Sequence, residues 1–219
     1  MASVLRFESA DSFNSNDPME IIATTKEVGE FQKKYKDREY LVFPEKRDFP
    51  IKMNKYLPKK WVENEVSDKF RDTAKRGENF TFQLGVWANH EDLDSIGLFF
   101  NNLKDDKGNV FKTPLFSCFN LEGVDYMGKP FAKTVNIAKR SVQPLWCGIQ
   151  IPETIRAGIY NGSITLTSKN AKPTTISLEL TVTDELAVKH GIDEPWNQTR
   201  LQWLNSTIAQ ENTVIDPYT

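Results

Sequence analysis

Alternation of apolar and polar side chains over residues 77–184 constrains the fold of this chain more than any other feature. The alternation is clearest in NFTFQLGVWA (79–88), PLWCGIQI (144–151) and ISLELTVT (176–183). A period of two places successive side chains on opposite faces of a β-strand. Turn sequences such as KDDKGN (104–109) separate the strands. The pattern predicts a mainly β protein, an antiparallel immunoglobulin-like β-sandwich of at least six strands, with a barrel as the alternative.

The residues before this region follow a different pattern. Thr24 and Glu27 have the spacing of a capping box, which predicts a short amphipathic helix after them. YLVFPE (40–45) has the composition of a strand, and three prolines between residues 44 and 58 exclude a long regular element there. We therefore predict a small α/β lead-in before the sandwich and a linker segment after it. The predicted bounds are 1–57 for the lead-in, 58–184 for the sandwich and 185–219 for the linker.

Composition and charge exclude several classes of protein. Charged residues make up 26% of the 219 residues, and no apolar run approaches the roughly 18 residues that a membrane helix requires. A formal net charge of -2 gives no field that would attract nucleic acid. The two histidines lie far from both cysteines in the sequence, so we expect no metal site and no cofactor. The first residues lack the pattern of a signal peptide, which predicts a cytosolic protein or an excised part of a longer one.

Three further residues have structural interpretations. Cys118 and Cys147 both lie in strand-like apolar runs, where a free thiol behaves as a small hydrophobic group. Their number and spacing do not suggest a disulfide framework, so a bond between them stays open. Tyr160 lies between two glycines at a turn, and we interpret it as a structural corner whose hydroxyl binds loop backbone.

Three stretches together resemble a known family. They are GENFTFQLGVWA (77–88), QPLWCGIQIPETIRAGIYNGSITL (143–166) and the closing PWNQTRLQWLNSTIAQENTVIDPYT (195–219). The chain resembles the β-sandwich region that precedes the catalytic barrel in bacterial glycoside hydrolases of family 123 and their relatives. The resemblance extends over residues 19–219, and the closing stretch is its most specific part.

The resemblance implies a fragment of a larger enzyme that cleaves glycosides of 2-acetamido sugars. In that family the substrate's acetamido group is the nucleophile, assisted by an Asp-Glu pair in a (β/α)8 barrel that follows the sandwich. This chain has no room for the barrel, so we expect no catalytic residue and no independent enzyme activity. The pairs at 184–185 and 193–194 precede any barrel, and we interpret them as solvated linker acids. A periplasmic or extracellular location of the parent protein is likewise implied by the resemblance.

Two candidate binding surfaces follow from the residues. The closing stretch carries an apolar load that predicts an interface to the missing barrel, unless the stretch folds back onto its own sandwich. The predicted interface residues are Trp196, Arg200, Trp203 and Leu204. As an alternative, aromatic side chains on the outer face of half-buried strands would make the sandwich a carbohydrate-binding module. The predicted sugar-binding residues are Trp87, Trp146, Gln83 and Gln150.

We favour burial of both tryptophans over sugar binding, because outward aromatic residues on a sandwich usually mark a contact surface. The sequence therefore predicts a non-catalytic sandwich that orients and stabilises the barrel of its parent. A free-standing sandwich that binds other proteins is the third possibility.

Overall fold

A computed structural model describes residues 17–112, 115–125 and 127–204 of the chain. The helices among these residues are α1 at Thr25–Lys34 and α2 at Lys59–Asn64, and a terminal series of 3-10 helices at Val188–Gly191, Pro195–Asn197 and Thr199–Leu204. The strands are β1 Tyr40–Lys46, β2 Lys69–Arg76, β3 Asn79–Ala88, β4 Gly97–Phe100, β5 Leu103–Lys104, β6 Val110–Phe111, β7 Phe116–Cys118, β8 Glu122–Val124, β9 Pro130–Ala132, β10 Val142–Gln150, β11 Gly158–Ser168 and β12 Ala171–Leu186.

Two sheets face each other, which confirms the predicted β-sandwich. One sheet has the order β1-β3-β10-β7, and the other has the order β2-β12-β11-β5-β6, with β4 paired to β11. β8 and β9 form a separate hairpin. Neighbouring strands are antiparallel except β2, which runs parallel to β12 from the pair Lys69 and Ser177 onward. The predicted sandwich was antiparallel throughout, and this parallel pair corrects it, because alternation of apolar and polar residues does not reveal strand direction.

The main core fills the space between the two sheets. It contains the inward side chains of β3, β10, β11 and β12, such as Phe82, Leu145 and Leu180. Tyr160 is fully buried, its ring meets Phe111 edge-on at 4.6 Å, and its hydroxyl donates to the Arg156 carbonyl at 2.7 Å. The geometry is that of the predicted structural corner.

A second core lies on the outer face of the four-stranded sheet. The capping box forms as predicted, since the Thr24 amide donates to the Glu27 carboxylate and the Glu27 amide donates to the Thr24 hydroxyl. Phe31 of α1 and Trp61 of α2 pack against Phe43 of β1. The lead-in and α2 therefore form a small third layer over the sheet.

This third layer changes the environment of β3. We expected a half-buried strand, but every residue of Asn79–Ala88 is buried. The sandwich core covers one face of the strand, and the third layer covers most of the other. Residues 197 and 202 near the end of the chain contact Thr81 and Asn79 on that second face. β1 also pairs with β3 over seven residues, from Tyr40 and Ala88 to Lys46 and Phe82. The lead-in and the sandwich therefore share one sheet, while the predicted domain bounds at 57 and 184 stay a prediction.

Candidate docking surface

We define the terminal segment as residues 187–204. Polar side chains attach it to the outer face of the four-stranded sheet, at the start of β3. Thr199 and Gln202 are 0% and 4% exposed. The Thr199 hydroxyl donates to the Gly191 carbonyl at 2.8 Å, and the Gln202 side-chain oxygen accepts a hydrogen bond from the side-chain amide of Asn79 on β3. Thr81 of β3 donates to the Asn197 carbonyl at 2.8 Å. Because buried amides and hydroxyls are costly unless they are hydrogen-bonded, these contacts fix the path of the segment.

Several large apolar side chains of the same segment face solvent. Trp196, Trp203 and Leu204 are 66%, 50% and 57% exposed. The Arg200 guanidinium lies over the Trp203 ring at 5.6 Å from its centroid. A segment that only folded back onto its own sandwich would bury its tryptophans and expose its threonine and glutamine. The arrangement is the reverse, and we call the exposed residues Trp196, Arg200, Trp203 and Leu204 the terminal apolar face.

Other apolar groups lie near the two ends of this segment. Leu186 and Val188, where the chain leaves β12, are both exposed. At the other end, a Cβ placed on Gly123 of β8 would lie 3.4 Å from the Leu204 carbonyl oxygen, so the β8–β9 hairpin adjoins the terminal apolar face. Phe131 of that hairpin is partly exposed and packs over Gly123. Exposed apolar groups that accumulate in this way are typical of a surface that another protein domain covers.

One lysine supports the start of the segment electrostatically. The Lys75 amine lies 3.1 Å from a Glu194 carboxylate oxygen and 3.4 Å from a Glu185 oxygen. The hydrogen bond to Glu194 and its negative charge raise the pKa of Lys75. These contacts give Glu185 and Glu194 a structural role as partners of Lys75.

A groove of about 400 Å³ lies beside the terminal apolar face. The side chains that line it include Asn79, Gln150, Glu153, His190, Gln202 and Trp203. The His190 ring donates through Nδ1 to the Gly77 carbonyl at 2.8 Å, which holds the imidazole at the rim. The groove thus combines one exposed indole with amide and carboxylate groups.

Two of the predicted sugar-binding residues lie inside the protein. Trp87 is 1% exposed and packs against Phe31, with 6.0 Å between ring centroids. Gln83 is fully buried, accepts from the Ile51 amide at 2.8 Å, and donates to the carbonyls of Lys46 and Phe49. The lead-in covers both side chains, so neither presents a surface to a sugar.

The other two predicted residues lie on β10, where Trp146 is the register partner of Gln83 on β3. Trp146 is half-buried in β10, where its amide donates to the Asn120 side chain at 2.6 Å. Gln150, at the far end of β10, is half-buried and lines the groove with Trp203. The structure therefore joins Gln150 to the terminal segment, a pairing that the sequence could not indicate across some fifty residues. Glu153 and His190 of the groove were missed for the same reason.

Neither a metal centre nor a bilayer-spanning helix is found in the described ranges. No three residues among the described histidines, cysteines, aspartates and glutamates cluster closely enough to hold a metal ion. None of the described helices has the length and hydropathy needed to cross a bilayer. The end of the predicted linker, 205–219, lies outside the described residues.

Comparison with known proteins confirms the resemblance that the sequence indicated. Residues 117–168 match the family described as the glycoside hydrolase 123 N-terminal domain. A family 123 glycoside hydrolase from Clostridium perfringens has a similar structure, with a TM-score of 0.54 and 20% identity. The similarity covers 68% of this chain and 28% of that one. The chain is thus similar in fold to part of that enzyme and spans about a quarter of its length.

Weaker structural similarities extend to two other proteins. The PapD-like domain of human CEP192 matches with a TM-score of 0.36 and 13% identity, covering 55% of this chain and 84% of that one. The fimbrial subunit MyfA from Yersinia enterocolitica matches with a TM-score of 0.35 and 12% identity, covering 50% and 88% of the two chains. Curated proteins gave no match to this sequence.

Proposed function

We propose that this chain is the non-catalytic sandwich of a glycoside hydrolase and that its terminal apolar face docks against the catalytic domain that follows it. The observation that carries the proposal is the inverted terminal segment, in which Thr199 and Gln202 are buried while Trp196 and Trp203 are exposed. The match to a glycoside hydrolase 123 N-terminal domain supplies the enzyme class. The sandwich would then orient the catalytic domain.

The energetics support docking at this face. Burial of one large apolar side chain contributes about 1.5–3 kcal/mol, and three such side chains lie on the terminal apolar face. The polar contacts of Gln202 and Thr199 already hold the backbone beneath them. The terminal segment is therefore already ordered before a domain docks on it. Docking would cost little further conformational entropy in this segment.

The finer parts of the proposal concern the parent enzyme. We propose that the following domain is a (β/α)8 barrel and that the parent acts on glycosides of 2-acetamido sugars. The structure from Clostridium perfringens was solved to explain glycolipid glycan hydrolysis, and a similar sandwich here supports a related substrate class. We further propose that the parent enzyme is periplasmic or extracellular, where it would contact such glycans.

The native gene tests the enzyme part of the proposal. We expect the reading frame to continue beyond Thr219 into alternating strands and helices, with a neighbouring Asp-Glu pair at the end of one strand. A stop codon directly after Thr219 would overturn the proposal and favour a free-standing sandwich that binds other proteins.

A hydrophobic dye tests the docking part. We expect anilinonaphthalene sulfonate to bind residues 1–219 at the terminal apolar face and to bind the longer protein much less. Trp203→Ser should reduce dye fluorescence of the short chain, whereas Tyr56→Ser, at a 57% exposed site of the lead-in, should leave it unchanged. Equal dye binding by the short and long proteins would contradict docking at this face.

The groove supports carbohydrate binding as a second candidate function. An exposed indole such as Trp203 can stack on a pyranose ring, while Gln150 and Glu153 offer hydrogen bonds to its hydroxyls. Titration with N-acetylgalactosamine should then change tryptophan fluorescence, and Gln150→Ala should weaken that change. If the fluorescence does not respond, the groove does not bind this sugar, and the docking proposal is unaffected.

A further inference from the structure

Cys118 and Cys147 lie directly opposite each other on neighbouring strands. Cys118 ends β7, the edge strand of the four-stranded sheet, and Cys147 lies in the middle of β10. Their Cα atoms are register partners, and their side chains are 2% and 0% exposed. Directly opposite residues of an antiparallel pair point to the same face of the sheet, so both thiols enter the main core together.

The hydrogen bonds beside the cysteines define the kind of pair they form. The next register pair is Phe119 and Trp146, and the Phe119 amide donates to the Trp146 carbonyl at 2.9 Å. Hydrogen-bonded and non-hydrogen-bonded pairs alternate along an antiparallel ladder, so the cysteines occupy a non-hydrogen-bonded position. The Cα atoms of such pairs are about 4.5 Å apart, within the range of about 4.4–6.8 Å that a disulfide spans.

We propose that Cys118 and Cys147 form a cross-strand disulfide when the chain folds in an oxidising compartment. The oxidant is a disulfide, either glutathione disulfide or the exposed disulfide of a thiol oxidoreductase. One cysteine thiolate attacks the oxidant to give a mixed disulfide and one released thiol. The second cysteine then displaces the remaining thiol and closes the bond. The protein loses two protons and two electrons in total, and the oxidant is reduced to two thiols.

Burial of both thiols determines when during folding the disulfide forms. Cys118 and Cys147 are 2% and 0% exposed, so a disulfide oxidant does not reach either sulfur in the folded sandwich. Burial also raises the pKa of Cys147, while the hydrogen bond with Cys147 lowers the pKa of Cys118. The reaction therefore belongs to folding, before β7 docks against β10. β7 has three residues, Phe116–Cys118, and β10 is its only partner among the described strands, so few backbone hydrogen bonds hold this edge in place.

The bond would close a loop of about 30 residues that contains the β8–β9 hairpin. That hairpin adjoins Leu204, so the cross-link would also steady one border of the terminal apolar face. The inference rests on strand register alone and does not depend on docking or on glycosidase activity.

Refolding of the purified chain tests the inference. We expect the product refolded with excess glutathione disulfide to be lighter by two hydrogen atoms and to lack free thiols. It should melt about 10 °C higher than the dithiothreitol-reduced protein, as expected for a loop of this length. Cys118→Ser should show no internal cross-link and no effect of the reductant on melting. A refolded wild-type product that keeps the dithiol mass, or that cross-links only between chains, would overturn the proposal.

Discussion

Gly85→Ala should strongly destabilise the protein, because Gly85 lies directly beneath the Trp61 ring. A Cβ atom at this position would lie 2.3 Å from Cη2 and 2.7 Å from Cζ2 of Trp61, and 3.0 Å from Cδ1 of Ile51. Carbon atoms require about 3.5–4.0 Å at an optimal contact. The closest approach of 2.3 Å is more than 1 Å shorter than an optimal contact, so the sheet or the indole must move by about that much.

The indole has little freedom to move. Its ring stacks on Phe43 with 4.2 Å between centroids and an interplanar angle of 4°. Its Nε1–H donates to the Glu45 carboxylate at 2.7 Å, and that buried carboxylate also pairs with Lys60 at 2.7 Å. A shift of Trp61 would disturb the stack and the hydrogen bond together.

The expected loss of stability combines two effects. Overpacking a core costs about 1–3 kcal/mol, and a hydrogen bond to a charged group contributes about 1.5–3 kcal/mol. If the hydrogen bond from Trp61 to Glu45 is partly lost, Gly85→Ala should lower the free energy of unfolding by about 3–5 kcal/mol. A loss of this size lowers the melting temperature of a chain of this length by about 10 °C. Urea unfolding followed by tryptophan fluorescence, with thermal melts by circular dichroism, would measure both quantities.

Gly29→Ala is the matched control, since no heavy atom lies within 4 Å of a Cβ at that helical position. Alanine should be neutral there or stabilise α1 by up to about 1 kcal/mol. Trp61→Leu combined with Gly85→Ala should recover part of the loss relative to the sum of the single changes. If the unfolding free energies of Gly85→Ala and Gly29→Ala differed by less than about 1 kcal/mol, the packing of Trp61 on β3 would be refuted.

Two further predictions concern buried polar groups. Gln83→Ala should lower the free energy of unfolding in urea by about 3 kcal/mol, because the Ile51 amide and the carbonyls of Lys46 and Phe49 lose their buried partner. The control Gln143→Ala, at a half-buried position of β10, should lower it much less. Burial raises the pKa of Tyr40 above its ordinary value of about 10, so its contribution to stability is complete below pH 10 and is lost as the pH rises through the folded-state pKa. The unfolding free energy of wild type relative to Tyr40→Phe should therefore fall above pH 10 in alkaline urea titrations, and a constant difference would show that the Tyr40 phenol is not protected.

Local patterns were sufficient for much of the fold. The alternation in residues 79–88 and 144–151 specified strands, the Thr24 and Glu27 spacing specified the start of α1, and KDDKGN specified the turn between β5 and β6. These features depend on residues only a few positions apart, and their physical causes are equally local: the strand period, the helix cap and the turn chemistry.

The candidate site was predicted in part. The apolar load of the closing stretch indicated Trp196, Trp203 and Leu204, and all three lie exposed on the terminal segment. Their functional role as an interface stays a prediction. The residues that hold them in place, Thr199 and Gln202, gave no signal, because their partners lie on β3 and within the segment itself.

The sequence by itself determined which side chains share a face of each strand, and only the tertiary structure decided what covers that face. Trp87 and Gln83 alternate away from the sandwich core as expected, yet both are buried, because Phe31 of the lead-in and Trp61 of α2 cover the outer face of β3. The opposition of Cys118 and Cys147 likewise depends on the register between β7 and β10. Alternation fixes the direction of a side chain relative to its own backbone, whereas burial and register depend on residues distant in the sequence that folding brings together.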